Sequence, residues 1–393
     1  MRLFLALAAL VLLGAPAVAQ HQHGKPGSTP EAFTAAPAFA QDGTLWLARP
    51  MVDRVVVLRS TDLGKTFSAP MMVTPEPMNL DWGPDARARI AVGPKGRLVV
   101  TFAIFQDKNF NGRAFVAYSN DNGATFSRPQ PITADSTSQR FETAGIDPNG
   151  RVFAAWLDKR NIAPARAAGK AYPGAALAYA WSDDGAAFGK TEVALDNTCE
   201  CCRLGLAFAG PGRPVIAFRN IFPGSVRDHA VVTFKDATTP GPLRRVSVDD
   251  WKIEACPHHG PSLAIAPDGS QHVAWFTDGK ARKGLFYARA ESADGAFGPP
   301  RALSSPDRQP ARPYLLAEGR AVHLVWKEFD GTKAVVRWQV SHDSGVTWSN
   351  ARTVADTDDA SDHPLLVGHA GRAYLSWLTK AQGYRLIALE DQP

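Results

Sequence analysis

Beyond its first twenty positions, the 393-residue chain has no long apolar run, no dense block of lysine and arginine, and no helical periodicity. Without a stretch of about 20 uncharged apolar residues, the mature protein is not expected to be embedded in a membrane. The scattered basic residues argue against a dedicated nucleic-acid surface. Because apolar residues do not recur at helical spacing over eleven positions or more, we expect an all-β fold.

The apolar residues at the amino terminus are typical of a secretory signal peptide. Arg2 precedes an apolar run at 3–13, and the small residues Ala17, Val18 and Ala19 follow it. We expect cleavage after Ala19, so that 1–19 is the signal peptide and 20–393 is the mature protein, in the periplasm or outside the cell. No Ser/Gly-rich linker divides 20–393. We therefore predict a single domain, and a monomer.

A polar turn motif recurs along the chain. Its copies are STDLGKTF at 60–67, SNDNGATF at 119–126, SDDGAAF at 182–188 and SHDSGVTW at 341–348, with a shorter SADGAF at 292–297. Asp and Gly suit the tight, partly left-handed turn of a hairpin, and the closing aromatic residue can pack back beneath it. The motif therefore predicts hairpin turns between strands.

A second repeat alternates with the turn motif and consists of a Gly-containing turn and an alternating apolar strand, as in PNGRVFAAW and PDGSQHVAW. The bulky residue of this strand recurs every 51 to 62 residues. Its positions are Trp46, Phe102, Trp156, Phe218, Trp275, Trp326 and Trp377. This spacing suits one four-stranded antiparallel blade per repeat, as in a β-propeller.

Seven repeats predict seven blades, although the last repeat has no fourth-strand pattern after 384–389. Two arrangements of the amino terminus remain open. In one, a strand near Phe33 completes the last blade and six blades result. In the other, residues 20–31 supply the missing outer strand and seven blades result. We favour seven blades.

The turn motifs resemble the Asp boxes of the BNR-repeat sialidase superfamily over nearly the whole mature chain. The resemblance implies a β-propeller whose Asp boxes lie at the blade periphery, away from the substrate cleft. Sialidases grip a carboxylate with three arginines and use a Tyr/Glu nucleophile pair and an Asp acid/base. Segment 43–67 matches their first blade, with Arg49 as a cleft arginine and Asp53 as acid/base. The preceding Arg-Ile-Pro motif is missing, since 33–41 contains no arginine, and only Tyr374 is a candidate nucleophile.

A closer resemblance is to a group of secreted sialidase-like propeller proteins recognised by a three-cysteine cluster and a later Cys-Pro-x-x-Gly-Pro. The corresponding segments are CECC at 199–202 and CPHHGP at 256–261, with FRN at 218–220 and RDH at 227–229 between them. This pair of cysteine motifs identifies a group of proteins, and it implies no particular reaction.

The chain has four cysteines, and all of them fall within 199–256, so we expect them to act together. They are Cys199, Cys201, Cys202 and Cys256. One hypothesis is two structural disulfides, in which Cys256 pairs with Cys201 or Cys202, because a bond between those two neighbours strains the peptide. The other is a copper or zinc site that also uses His258 and His259. We predict disulfides between the two motifs, with both histidines left at the propeller mouth.

Many polar residues fall just before an innermost strand or in the loop after a bulky strand position. In a propeller these positions share one face, and we expect their side chains to surround one mouth. Besides the two histidines they are Arg49, Asp85, Arg87, Arg140, Glu142, Asp158, Arg160, Arg203, Arg219, Arg227, Asp228, Arg312 and His363. Converging guanidinium groups attract carboxylate, phosphate or sulfate.

Three functions remain open from the sequence. The leading hypothesis is an exported propeller without sialidase activity that binds a small anionic ligand, a glycan or a metal-associated ligand at the Cys/His/Arg mouth. The first alternative is an exo-α-sialidase or related glycoside hydrolase with Asp53 as acid/base. The second alternative is a structural or protein-binding propeller.

Overall fold

The computed structural model describes residues 33–255 and 257–390. The predicted signal peptide, the segment 20–31 and Cys256 lie outside the described residues. Nearly all regular structure in the described part is antiparallel β, apart from helix α1 at Ile162–Ala167 and 3-10 turns at Pro94–Gly96 and Pro306–Arg308. None of the helices described here is long and apolar enough to cross a membrane.

The strands form seven sheets, and each sheet is one blade. Blade 1 is β1 Ala36–Phe39, β2 Leu45–Met51, β3 Arg54–Ser60 and β4 Met71–Met72. Blade 2 is β5 Leu80–Asp81, β6 Arg89–Val92, β7 Leu98–Phe105, β8 Gly112–Ser119 and β9 Gln130–Pro131. Blade 3 is β10 Gln139–Ile146, β11 Val152–Asp158, β12 Ala175–Ser182 and β13 Glu192–Thr198.

The remaining blades follow the same order. Blade 4 is β14 Gly205–Phe208, β15 Pro214–Arg219, β16 His229–Thr233 and β17 Arg244–Arg245. Blade 5 is β18 Ser262–Ile265, β19 Gln271–Asp278, β20 Lys283–Ala290 and β21 Arg301–Ala302. Blade 6 is β22 Ala311–Glu318, β23 Ala321–Phe329, β24 Ala334–Ser341 and β25 Arg352–Thr357. Blade 7 is β26 Leu365–His369, β27 Arg372–Thr379 and β28 Gly383–Ala388.

The blades close into a ring, because the innermost strand of each blade contacts that of the next and β26 contacts β1. The predicted all-β propeller with seven blades is confirmed. The six-blade alternative is wrong, since the first described strand, β1, pairs with β2 as the innermost strand of blade 1. Blade 7 has three strands within the described residues, and the proposed fourth strand from 20–31 stays a prediction.

The bulky residues of the second repeat lie on the strand that follows the innermost strand in every blade. They form the core between blades. All seven side chains are at most 2 % exposed. The indole N–H of Trp156 donates to Asp158, and that of Trp326 donates to Glu328, each over 2.7–2.8 Å. The same residues therefore anchor the apolar core and the first polar groups of the adjoining loops.

The turn motifs connect the last two strands of blades 1, 2, 3, 5 and 6. In the first copy, the Asp62 carboxylate accepts hydrogen bonds from the backbone N–H and hydroxyl of Thr66 and from the Ser60 hydroxyl, at 2.6–2.9 Å. Asp121 makes the same bonds to Thr125 and Ser119. These hydrogen bonds lower the pKa of both carboxyls to about 2, and the bonds from Thr66 and Thr125 have the largest effect. The carboxylates are therefore used to build the turns.

A buried ion pair joins the two ends of the ring. Arg87 donates from both terminal nitrogens to Asp362 at 2.7 Å, and it also bonds the carbonyl of Ala35. The Asp362 carboxylate accepts the backbone N–H of Ala35 at 3.0 Å. Blades 1, 2 and 7 thus meet at one carboxylate where the chain closes on itself.

Replacing Asp362 by alanine should destabilise the protein by about 3–5 kcal/mol, because it leaves the Arg87 guanidinium buried without a counter-charge. Chemical denaturation at pH 7 measures the effect. Asp183→Ala is the matched control, because it removes an 89 % exposed carboxylate from a surface pair with Arg151, and it should change stability by about 1 kcal/mol or less. Equal unfolding free energies for the two variants would show that ring closure does not depend on the buried pair.

Candidate functional site

The predicted mouth forms around one buried carboxylate, Asp85, which precedes the innermost strand of blade 2. Asp85 accepts hydrogen bonds from Arg203 at 3.0 Å and Arg312 at 2.9 Å, and Nδ1 of His363 lies 4.0 Å away. These partners precede or begin the innermost strands of blades 4, 6 and 7. We call these four residues the mouth cluster. The structure therefore brings together four of the residues that the sequence predicted to converge.

Charge compensation sets the protonation states within the mouth cluster. Burial opposes ionisation of Asp85, but the charges of Arg312 and Arg203 outweigh it and lower the pKa of the carboxyl. Burial and the same two guanidinium groups hold the pKa of His363 well below its ordinary value. At neutral pH the cluster therefore contains two cations, one anion and a neutral imidazole.

The backbone at the mouth is strained. Phe141, His258 and Arg312 have positive φ values of 56°, 50° and 59°, a region that residues with a Cβ rarely adopt. Phe141 and Arg312 also sit in irregularities of the pairing of β10 and β22 with their neighbouring strands. Bulges and strained residues are concentrated at functional sites, where they redirect side chains. At one of these positions Arg312 reaches Asp85 of blade 2.

Glu142 is a buried carboxyl on β10, the innermost strand of blade 3. Neither of its carboxylate oxygens has a hydrogen-bond partner among the described residues, although Nε of Arg89 donates to its backbone carbonyl at 3.0 Å. Burial, partly opposed by Arg89, raises the pKa of Glu142 to about 8. The next residue, Thr143, lines a cavity of about 200 Å³ together with Arg87, Arg89 and Arg203.

Several predicted ligand-binding residues are bound to partners inside the protein. Arg140 makes a two-point ion pair with Asp81 at 2.6 and 3.0 Å, and Arg160 pairs with Asp158 at 2.7 Å. Asp228 pairs with Arg245 and accepts backbone N–H groups of 249–251. These groups stabilise loops of the mouth face. Arg49 is partly buried on β2, where burial lowers its pKa.

The structure places the sialidase candidates Asp53 and Tyr374 at opposite ends of their blades. Asp53 lies in the turn between β2 and β3, 47 % exposed and 3.8 Å from Arg54. Tyr374 packs against Phe39, with ring centroids 5.7 Å apart, and Phe39 also stacks on His369 at 4.7 Å. Phe39 ends β1 and His369 ends β26, so Tyr374 lies near the hairpins on the face opposite the mouth.

Three cysteines form a compact buried cluster between β13 and β14. The Cys199 and Cys201 sulfurs are 3.4 Å apart, the Cys201 and Cys202 sulfurs are 3.9 Å apart, and all three lie within 4.8 Å of one another. These separations exceed the roughly 2.05 Å of a disulfide, so the three cysteines are not bonded to each other. Cys256 lies outside the described residues, and a disulfide between the two motifs stays a prediction.

Two arginines face the cysteine cluster from the loops and strand of blade 4. Nη1 of Arg227 donates to the Cys199 sulfur at 3.3 Å. Hydrogen bonds from Cys201 and Cys202, with the charges of Arg219 and Arg227, hold the pKa of the Cys199 thiol well below its ordinary value. The cysteines therefore lie in a positively charged environment, as the FRN and RDH segments place these arginines between the cysteine motifs.

Arg219 is buried with only part of its hydrogen-bonding capacity used. Its side chain stacks on Trp251 at 4.2 Å, and Nη2 donates to the carbonyls of His259 and Phe276 at 3.0 and 3.4 Å. Nε and Nη1 have no partner among the described residues. His229 is equally buried, and its Nε2 donates to the same His259 carbonyl at 3.2 Å. Burial holds the pKa of His229 well below its ordinary value.

The CPHHGP segment packs against Arg203, the residue that follows CECC. A Cβ added at Gly260 would lie 2.8 Å from the backbone nitrogen of Arg203 and closer still to its carbonyl oxygen. Only glycine permits this approach between the CPHHGP segment and the residue after CECC. This close packing gives a structural reason why the two motifs occur together in the sequence.

A groove of about 730 Å³ extends from the mouth cluster across blades 5, 6 and 7. Its polar lining includes His259, Arg312, Lys327, Ser361 and His363, and Phe276 and Phe329 add aromatic surface. Asp278, Lys283, Gln309 and Glu328 line the groove as well; Asp278 pairs with Lys283 at 3.0 Å, and Glu328 accepts the indole N–H of Trp326. The sequence analysis missed Lys327, Ser361 and both phenylalanines. Lys327 follows the bulky Trp326 directly, and that position was the available signal, but the prediction used only the loop beyond the strand.

The buried Glu142 should make stability fall as pH rises from about 4.5 to about 8. In this interval the unfolded state has released the Glu142 proton and the folded state still holds it, so folding is favoured less at higher pH, by about 1.4 kcal/mol per pH unit at most. Glu142→Gln should remove this slope and gain stability relative to the wild type at pH 8. Urea unfolding at pH 5 and pH 8 tests it, with the 91 % exposed Glu291 replaced by Gln as control. Parallel pH profiles for the wild type and Glu142→Gln would contradict a neutral buried carboxyl.

No protein-family model and no curated protein sequence matches the chain. Solved structures match it in fold. A polysaccharide lyase described as an ulvan lyase has a TM-score of 0.59 at 11% identity, covering 93% of this chain and 92% of that chain. The polysaccharide lyase Uly1 has a TM-score of 0.57 at 10% identity, covering 90% and 88%. The lectin BP39L from Burkholderia pseudomallei has a TM-score of 0.61 at 11% identity, covering 91% and 98%. At these identities the similarity shows the β-propeller fold, and the resemblance to BNR sialidases stays a prediction.

Proposed function

We propose that this protein is an exported β-propeller that binds an anionic glycan in the groove beside the mouth cluster. The observation that carries the proposal is Lys327, a cation on the groove wall that makes no salt bridge with any described carboxylate. Export is supported by the signal-peptide pattern at 1–19. The proposal narrows the anionic ligand expected from the sequence to a carboxylated or sulfated sugar.

The Lys327 ammonium donates to the hydroxyl and the carbonyl of Ser361 at 2.8 and 3.4 Å. It makes no salt bridge within the part of the chain that the structure describes. Burial lowers its pKa, and the nearby Asp362 carboxylate only partly opposes this effect, so the charged form lacks full solvation. The carboxylate or sulfate of a ligand would supply the missing counter-charge, and charge-assisted hydrogen bonds of this kind are the strong ones.

The groove also offers surface for the apolar face of a sugar ring. Phe329 is 42 % exposed at its rim, and Phe276 stacks on His259 with centroids 4.2 Å apart. Concave sites that combine aromatic surface with a few polar groups are typical of small-ligand sites. The descriptions of similar structures as polysaccharide lyases and a lectin favour a glycan over an inorganic anion.

Hydrolysis of a sialoside is less well supported than binding. A sialidase needs arginines with donors directed at the substrate carboxylate, whereas Arg87, Arg140, Arg203 and Arg312 all bond internal carboxylates. Breaking such buried pairs to bind a substrate costs several kcal/mol for each pair. The groove cation Lys327 can meet an anion without that cost.

Lys327→Gln should weaken binding of a sulfated uronate oligosaccharide at least tenfold, because it removes the counter-charge for the anion. Isothermal titration with a heparin-derived hexasaccharide measures the affinity, and neutral cellohexaose serves as the uncharged probe. Lys333→Gln is the matched control, since Lys333 lies on the same blade, outside the groove lining, in an exposed pair with Asp356. Equal losses in both variants would indicate binding through overall charge alone, and no binding of either probe would favour a protein-binding propeller.

The purified protein should release no sialic acid from a fluorogenic α-sialoside. The expectation follows from the internal pairing of the mouth arginines and the position of Tyr374 on the opposite face. Turnover above that of the heat-denatured protein, lost in Asp53→Asn, would establish the glycoside hydrolase alternative. The control Asp183→Asn removes an exposed carboxylate far along the chain and should leave any turnover unchanged.

A further inference from the structure

We propose that Cys199, Cys201 and Cys202 hold one thiophilic metal ion, Cu(I) or Zn(II), through their thiolates, with Arg219 and Arg227 balancing the negative charge. The site is separate from the groove and does not rest on the glycan proposal. It is an alternative to the disulfides predicted from the sequence, because both would use the same sulfurs. Each thiol that binds the ion gives up its proton to solvent, and the ion keeps its oxidation state.

The sulfur positions match a metal–thiolate site. With metal–sulfur bonds of about 2.3 Å, two ligands of one ion lie about 3.8 Å apart in a tetrahedral site and about 4.0 Å apart in a planar three-ligand site. The observed separations are 3.4 and 3.9 Å, and the third lies within 4.8 Å. Small side-chain rotations are enough to place one ion between the three sulfurs. Thiolate ligands select Cu(I) and Zn(II) over harder ions.

The charge around the sulfurs gives a second, independent reason. Arg219 is 1 % exposed, and its Nε and Nη1 have no hydrogen-bond partner among the described residues. A buried guanidinium without a compensating anion is costly. Three thiolates with Cu(I) carry two negative charges, and with Zn(II) they carry one. Two disulfides would be neutral and would leave the charge of Arg219 uncompensated.

Rigid backbone holds the cysteines and the arginines together. The N–H of Cys199 donates to the carbonyl of Arg219 at 2.8 Å, and Thr198, just before the cluster, forms a β-bridge with Asn220. Arg203, just after the cluster, is anchored by Asp85. Preorganised ligands of this kind favour a structural metal, since binding then adds to folding stability.

Metal content and thiol count together test the proposal on the unmodified protein. The full chain is expressed in a host that can export it, and the protein is purified without chelator. Its copper and zinc content is then measured by mass spectrometry. It is then denatured with chelator, and its thiols are titrated with a chromogenic disulfide reagent. We expect about one metal ion per chain and four titratable thiols. Zero or two thiols would show that disulfides use the sulfurs, and four thiols with no uptake of added Cu(I) or Zn(II) would equally overturn the proposal.

Variants locate the ion once metal has been found. Cys199→Ser and Cys202→Ser should each lower metal content at least tenfold, and near-UV circular dichroism checks that they fold. Arg219→Met keeps all sulfurs and should weaken Cu(I) at least tenfold in competition with a chromogenic chelator. Lys327→Gln should keep the metal while losing the oligosaccharide, so the two proposals fail separately. Full metal content in both cysteine variants would place the ion elsewhere and overturn the assignment.

Discussion

The need to neutralise charge at the axis of the ring governs this protein. Seven innermost strands start close together, and several start with an ionised side chain that cannot reach solvent. Asp85 meets the problem by accepting hydrogen bonds from Arg203 and Arg312, which come from two other blades. Asp362 forms a buried ion pair with Arg87 where blades 1, 2 and 7 meet. Because one partner alone would be a buried charge, these pairs make the blades depend on each other.

This pairing decides where a ligand can act. From the sequence, the arginines of the mouth were expected to bind an anion. An arginine that already bonds a buried aspartate has few hydrogen-bond donors and little uncompensated charge left for a ligand. The cations with spare capacity lie away from the axis. Lys327 faces the groove and, among the described residues, donates only to atoms of Ser361. Arg219 lies against Trp251 beside the cysteines. The glycan and metal proposals follow from these two residues.

The cysteine cluster and the mouth share a short stretch of chain, so their positions are connected. The residue after Cys202 is Arg203. Its guanidinium donates a hydrogen bond to Asp85, and its backbone packs against Gly260. An ion at the sulfurs would therefore stiffen the segment that presents Arg203 to the centre of the mouth. Strain at His258 and Arg312 concentrates in the same region.

The sequence by itself determined the repeat. The alternation of apolar residues and the spacing of Trp46 through Trp377 are local properties, and they predicted the strands, the blades and the face on which the polar loops meet. Which charges pair was decided only by the tertiary structure, because Asp85 and Arg312 are 227 positions apart and nothing local distinguishes a paired arginine from a free one. The same holds for Lys327 and for the cysteine geometry. Distances between side chains, which ring closure sets, determine whether the sulfurs at 199–202 can bind one ion. They also determine whether Lys327 forms a salt bridge with a carboxylate.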